Sequence, residues 1–319
     1  MFYLPNPPSP NDEAHEKADF IEWCAWHDGY CSARAANTML NQINDNNPDT
    51  NNGCDDDSDQ TSDDLEDVFL EIERRAKACG GGYPFDLDRV GSVLSHRKDG
   101  DSRYIIYRYL LLSTRLNMKN NRNHAGINGT ELLEHLGARV MQNYLGGKHV
   151  ESKVFGTAQQ GSFQKKVDDL CASLGEGGGF ANKGNGKVHA KDAKLDVFTW
   201  APFSDGNPGK LIIFTQCKTG DNWKEHLGLL KPERIFNPWT KDPGSVILAP
   251  MTAFCVAEAV FQPQWIDVAS FGGLFLDRCR LVDFAYKIDK DLLDKLTKWT
   301  AAAFQNVCRK NIASKKRKR

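Results

Sequence analysis

The chain has 319 residues, 40% of them hydrophobic and 26% charged, with a formal net charge of −1 at pH 7. That length and apolar content provide for a substantial core and exclude a disordered polymer; the near-neutral balance excludes holding a polyanion by bulk charge, so any basic surface is local. No apolar run approaches 18 residues, so no membrane-spanning helix is expected, and the nine cysteines form no CxxC pair, which fits a reducing cytoplasm.

The N-terminal stretch MFYLPNPPSPNDEAHEK lacks the basic and apolar regions of an export signal. From Ala18 to Ile43, the residues Phe20, Ile21, Trp23, Trp26, Met39 and Leu40 predict a helical pair broken at Asp28-Gly29. Between Asn41 and Asp67 stand ten acidic residues and no basic one, which predicts a solvated loop, disordered over about 41–62. TSDDLEDVFLEIERRAKACGGG then reads as a helix, with Asp63 and Glu66 at capping-box spacing, Leu65, Val68, Phe69, Ile72 and Ala76 on one face, and Gly80 as a stop. RYIIYRYLLLSTRL closes an α-helical N-terminal region, residues 1–120.

MKNNRNHAGING reads as a linker. Behind it, Leu133, Leu136, Val140 and Tyr144 mark one helix, and Phe163, Val167, Leu170 and Leu174 a second, each stopped by glycines. DAKLDVFTWAPF and GKLIIFTQCKTG, joined by SDGNPG, read as a β-hairpin; SVILAPMTAFCVA and GGLFLDRCRLVDFA read as later strands. DLLDKLTKWTAAAFQNVCRK closes the chain as a helix, followed by a tail with seven positive charges in the last eleven residues, either a solvated terminus or a nucleic-acid arm. The expected class is α/β: a central mixed sheet flanked by helices over residues 121–290, with a C-terminal helix and basic tail over 291–319.

The hairpin carries the chemistry. A turn centred near Gly206 sets Asp196 opposite Gln216, and the two-residue period puts Lys218 on the face of Gln216. A carboxylate, an amide and an ammonium at one sheet end suit metal-assisted phosphodiester hydrolysis: Asp196, the Gln216 oxygen and the Cys217 backbone carbonyl serve as oxygen ligands for Mg²⁺ or Mn²⁺, and Lys218 stabilises developing charge. A further carboxylate is nearby in Glu131, at the start of the preceding helix, with Glu134 and His135 on its face.

A helix glutamate, then Asp in LDVFTW, then QCK after a hairpin resembles the PD-(D/E)XK nuclease superfamily, in its variant with Gln in place of the second acid. The resemblance covers about residues 120–290. It implies a restriction-endonuclease-like fold, a divalent metal, and DNA cleavage in a bacterial anti-phage or restriction setting, with a partner protein such as an ATPase and homo-oligomers as further expectations. Carried over by position, Glu131 matches the helix glutamate, Asp196 the metal aspartate, and Gln216 and Lys218 the QxK pair. Gln216, a neutral ligand, also admits a subunit that keeps the fold and binds nucleic acid or assembles a defence complex without catalysis.

Each residue also has a structural reading. Against the favoured site roles, Asp196 can be read as a strand-end turn residue, Gln216 and Lys218 as a polar strand exit, and Glu131 as the capping-box partner of Asn128, with Glu134 its substitute in the site. In GEGGGFANKGNGKVHAKDAK the phosphate-loop pattern is absent, but Lys183, Lys187, Lys191 and Lys194 form a candidate phosphate grip, against a merely solvated loop. Trp223 and Lys224 line the same cleft or pack. Asp192 reads as a loop acid, His124, His135 and His189 as packing or surface histidines, and Cys217 as no nucleophile, for want of a histidine partner.

Overall fold

The computed structural model describes residues 2–41, 57–184, 194–220 and 222–317, without the side chains of 41, 57–64 and 311–317. Helix α1 (Ala14–Asp28) stops where Gly29 takes a left-handed φ of 91°, a conformation that costs glycine little. Then come β1 (Tyr30–Ser32), α2 (Ala33–Asn41), α3 (Asp57–Ala78), β2 (Phe85–Leu87), β3 (Val93–His96) and α4 (Arg103–Arg115). The break at Asp28-Gly29 is the expected one. The region is not wholly helical, however, for β1, β3 and β2 form a small antiparallel sheet in that order. Strands of three or four residues are too short for their alternation to register in the sequence. Helix α3 begins at Asp57, inside the stretch expected to be disordered, and acids in a first turn suit the positive end of a helix dipole. Residues 42–56 of that stretch lie outside the described ones.

The expected linker is an ordered hairpin. Strands β4 (Asn123–His124) and β5 (Ile127–Asn128) are joined by Ala125 and Gly126, both at positive φ. It is held from outside: Trp299 donates its ring N–H to the Arg122 carbonyl at 2.8 Å, and the Tyr109 hydroxyl donates to the Gly129 carbonyl at 2.6 Å.

The remainder runs α5 (Gly129–Tyr144), β6 (Glu151–Val154), α6 (Phe163–Leu174), β7 (Gly177–Phe180), β8 (Val197–Trp200), β9 (Ile212–Lys218), α7 (Glu233–Trp239), β10 (Thr240–Asp242), β11 (Met251–Val256), α8 (Trp265–Gly272), β12 (Leu274–Leu276), α9 (Arg278–Asp283) and α10 (Lys290–Arg317). Five strands make a mixed sheet in the order β12-β11-β9-β8-β6, antiparallel from β6 to β9 and parallel from β9 to β12. The fold is thus α/β with a central mixed sheet flanked by helices. Val197 pairs with Thr215 and Phe198 with Phe214, the register that a turn centred on Gly206 demands.

Both faces of the sheet are covered, which is why β8 and β9 read as nearly continuous apolar runs. Val197, Ile213 and Cys217 share a cluster with Leu132, Leu133, Leu136 and Val140 of α5. Phe198, Trp200, Ile212 and Phe214 share another with Val167, Leu170 and Leu174 of α6 and with Ile235 and Phe236 of α7. Two expected strands are shorter than their sequences suggest. Only Met251–Val256 of the first is strand, and the second ends at Leu276, before Asp277, whose side chain accepts the Arg280 N–H at 3.1 Å and caps α9.

The N-terminal region has no core of its own. One apolar cluster runs from Phe2, Phe20 and Trp23 through Tyr107 and Leu110 to Leu136, Cys217, Leu281 and Val307. A buried ion cluster crosses the same boundary: Asp19 of α1 accepts from Arg75 at 2.7 Å, Arg115 at 2.6 Å and Arg278 at 2.6 and 3.0 Å. Among the described residues, no helix is long and apolar enough to cross a membrane.

Candidate active site

The site lies where α5, the segment after β6, and the adjoining ends of β8 and β9 meet. Helix α5 is capped by Asn128, whose Oδ1 accepts the Thr130 N–H at 3.1 Å while its Nδ2 donates to Glu131 Oε1 at 2.9 Å. Glu131, the expected site carboxylate, is therefore engaged at the helix start. Glu134, its substitute, is buried one turn further on. Its Oε1 accepts from the Thr157 hydroxyl at 2.6 Å and the Thr157 N–H at 3.2 Å, and its Oε2 from the Ala158 N–H at 2.9 Å.

Glu134 and Asp196 converge. A Cβ on Gly156 would stand 2.7 Å from Glu134 Oε2 and 2.9 Å from Asp196 Oδ1, so the two oxygens flank one point that only a glycine leaves clear. The backbone of Asp196 extends the β8–β9 ladder, donating to the Thr215 carbonyl at 3.0 Å and accepting from Phe155 and Gly156 at 2.8 and 3.0 Å. Its Oδ2 accepts the Cys217 N–H at 2.7 Å. In an antiparallel strand a residue's N–H and C=O share a side. The Cys217 carbonyl therefore opens toward Asp196.

One step beyond the Val197–Thr215 pair, Gln216 faces Asp196; on its other side it is in register with Phe254. Its side chain is fully buried, and neither amide atom has a hydrogen-bond partner among the described residues. Leaving a buried polar group unsatisfied costs about 1–3 kcal/mol. Lys218 follows two residues on, half-buried, its carbonyl accepting the Ala257 N–H at 3.1 Å.

The donors gathered here are two carboxylates, an amide oxygen and a backbone carbonyl, all oxygen, which suits a hard cation such as Mg²⁺ or Mn²⁺. The orphaned Gln216 amide is the feature such an ion fits. Among the described residues no three His, Cys, Asp or Glu gather as a metal group, here or elsewhere, and at this site such residues number two, Glu134 and Asp196.

The other expected residues are placed as follows. The Cys217 thiol packs toward Gly137 of α5 and Cys255 of β11; the hydrogen bond with Cys255, then burial, push it well above its ordinary pKa, so it is a neutral thiol. Lys183 and Lys194 are exposed on either side of residues 185–193, while Lys187, Lys191, Asp192 and His189 lie outside the described residues. Trp223 is fully buried, and Lys224 lies over its ring and donates to Gln264 Oε1 at 2.7 Å. His124 packs edge-on against Trp299, and His135 lines a cavity of about 630 Å³ with Arg139, Lys153 and Lys295.

Two residues at this convergence, and a histidine beyond β9, escaped the sequence reading. Gly156 and Thr157 carry no motif and matter only because the chain turns there beneath Glu134. His226 follows QCKTGDNW; the half-buried imidazole is pushed below its usual pKa by burial and then by the positive charges of Lys218 and Lys194. No family model, curated protein or solved structure matches this chain.

Proposed function

We propose that the protein is a metal-dependent endonuclease that hydrolyses phosphodiester bonds of DNA, built on a restriction-endonuclease-like core. The observation that carries the reading is the fully buried, unpartnered Gln216 amide facing Asp196, whose Oδ1 flanks the same point as Glu134 Oε2. A sheet whose strands β6, β8 and β9 are antiparallel, preceded by α5 and extended by the parallel β11 after α7, supports the resemblance to the PD-(D/E)XK superfamily, with α6 and β7 inserted between β6 and β8, β10 between α7 and β11, and Glu134 rather than Glu131 in the place of the helix carboxylate.

Asp196, Glu134, the Gln216 side-chain oxygen and the Cys217 carbonyl are the groups that would hold Mg²⁺ or Mn²⁺. When bound, such an ion supplies a more acidic water and offsets phosphate charge. Asp196 is oriented for this by the Cys217 N–H, and Glu134 by Thr157 and Ala158, so neither carboxylate must reorganise when substrate arrives. Lys218, on the Gln216 face, stabilises charge that develops on the phosphate oxygens. Lys194, exposed two residues before Asp196, offers a cation to the backbone of the nucleic acid. A cytoplasmic role in bacterial anti-phage defence, with a partner protein, belongs to the same proposal and rests on the resemblance.

The test uses supercoiled plasmid with Mg²⁺, Mn²⁺ or EDTA, and compares the full chain with Asp196→Ala and Lys218→Ala. Metal-dependent nicking lost in both variants is the expected result. Plasmid binding without cutting, together with no metal binding by calorimetry, would replace the enzyme with a nucleic-acid-binding or assembly subunit, the reading that the neutral Gln216 favours.

A further inference from the structure

We infer that a cavity of about 440 Å³ between α3 and the start of α9 binds the phosphoryl group of a small molecule, an inorganic polyphosphate or a nucleotide, and so ties the N-terminal region to the core. Arg74 and Lys77 line it from α3; Gln262, Trp265, Asp277 and Arg280 line it from the core. It stands apart from Asp196, since β12, which leads into α9, is the outermost strand of the sheet, two strands from β9. The cations are held by the protein. The Arg280 guanidinium lies over the Trp265 ring, 4.3 Å from its centroid, and donates from Nη1 to the Phe275 carbonyl at 2.8 Å. Trp265 in turn meets Phe275 edge-on at 5.5 Å. Arg74 is clamped by Glu71, Nε to Oε2 at 2.6 Å and Nη2 to Oε1 at 2.8 Å. Two planar groups are thus oriented before any ligand arrives, which lowers the entropic cost of binding.

Their binding capacity is not used up. A guanidinium has five N–H donors, of which Arg280 commits one and Arg74 two among the described residues. Lys77 is exposed and makes neither a hydrogen bond nor an ion pair among them. Asp277 does not cancel these charges by pairing: it is buried, its Oδ1 accepts the Arg280 backbone N–H at 3.1 Å, and its Oδ2 accepts the Val260 N–H at 3.3 Å. With Glu71 set against Arg74, positive charge remains in excess on the lining.

A terminal phosphoryl group matches this lining. It is negative, and its three acceptor oxygens serve a guanidinium fork two at a time and leave one for an ammonium; a carboxylate, with two oxygens, satisfies less of the set. The volume falls within the range of small-molecule sites, about 300–1,000 Å³. The interior feels the ligand as well. Glu71 Oε1, which holds Arg74, also accepts from Arg75 Nε at 2.8 Å, and Arg75 donates to Asp19. Arg278, next to Asp277, donates to the same Asp19 carboxylate. An anion bridging Lys77 and Arg280 therefore fastens α3 to α9 just outside the buried ion cluster, and stabilises the folded chain in step with its occupancy.

The experiment titrates the full-length protein with sodium pyrophosphate and, separately, with adenosine diphosphate, by calorimetry and thermal melts in EDTA. The wild type is expected to bind, and its melting temperature to rise with ligand concentration. Lys77→Gln and Arg280→Gln should each weaken binding about tenfold, and Arg280→Lys, which keeps the charge but not the fork, should fall between. Melts without ligand establish that each variant is folded, and Lys77 makes no contact whose loss could unfold the chain. Lys298→Gln, at an exposed position of α10, is the control for diffuse charge. Tighter binding of the diphosphate nucleotide than of pyrophosphate assigns the pocket to a nucleotide, and equal binding to the phosphoryl group alone; both uphold it. No binding by the wild type overturns the site, and so does a loss in Lys298→Gln equal to that in Lys77→Gln. Displacement of pyrophosphate by a DNA duplex that itself depends on Lys77 would make the pocket part of a nucleic-acid surface and overturn the small-molecule assignment.

Discussion

The backbone N–H of Cys217 donates to Asp196 Oδ2 at 2.7 Å, so the strand that carries Gln216 and Lys218 also aims the carboxylate facing them. Oδ1 is thereby turned toward Gly156 and Glu134 Oε2. The carboxylate, the strand end and the lysine are thus set by one short stretch of backbone.

Asp196→Asn and Asp196→Ala should separate chemistry from folding. Asn keeps an oxygen for the Cys217 N–H, so its melting temperature stays close to wild type, whereas Ala strands that buried donor and costs about 1–3 kcal/mol. Both variants should lose more than about 100-fold of metal-dependent nicking, since neither supplies the charge. Plasmid assays and thermal melts on the same preparations check the pair; an active Asp196→Asn would rule out the carboxylate as a metal ligand.

The two helix glutamates make opposite predictions. Glu134→Gln should abolish nicking, while Glu131→Gln should remain active and lose no more than about 1 kcal/mol from the cap of α5. Reversed activities would move the site to the helix start.

Gln216 should trade stability for function. Replacing its unpartnered amide by leucine removes a desolvation cost, so Gln216→Leu should raise the denaturant midpoint by an amount corresponding to about 1–3 kcal/mol and abolish metal binding by calorimetry. A Gln216→Leu protein no more stable than wild type would mean that the amide is satisfied in solution.

Acid should unfold the protein through its buried ions. Burial raises the Asp19 carboxyl, but the guanidinium groups of Arg278, Arg115 and Arg75 outweigh it and hold the carboxyl well below its ordinary value; Glu71 and Glu258 are lowered in the same way by their partners. Groups depressed in the folded state contribute stability that is full above the unfolded pKa, about 4, and is lost as pH falls through the folded one. Glu22 and Asp277, raised by burial, act in the opposite sense and soften the loss. Urea midpoints should stay flat from neutrality to about pH 5 and then fall. Asp19→Asn, which leaves three fully buried arginines without their shared carboxylate, should cost about 3–5 kcal/mol at neutral pH; a cost below about 1 kcal/mol would deny the cluster that role.

The hairpin was legible because two apolar runs flank one glycine-rich turn, and a two-residue period admits few registers. The sequence alone therefore sets Asp196 against Gln216, the register the strands adopt. The choice between Glu131 and Glu134 was not legible, since both fall on one helix face and only the turn at Gly156–Thr157, distant in sequence, shows which carboxylate meets Asp196. Strand β6 went unseen because Glu-Ser-Lys-Val is a short polar edge, with alternate residues in water. The expected linker proved to be a hairpin because its order comes from Trp299 and Tyr109, and no local propensity encodes a contact made 177 residues away.

Asp19 and Arg278 are separated by 259 positions. On a ribosome, α1 emerges long before the guanidinium that neutralises it exists, and the aromatic residues around it must wait for partners near the other terminus. Pairings of such span impose a high contact order and slow folding, and they bar the N-terminal third from completing its structure as synthesis proceeds. The nascent chain therefore needs protection from aggregation until Arg278 has been made, and a break anywhere between these two residues parts the five-stranded sheet from its support.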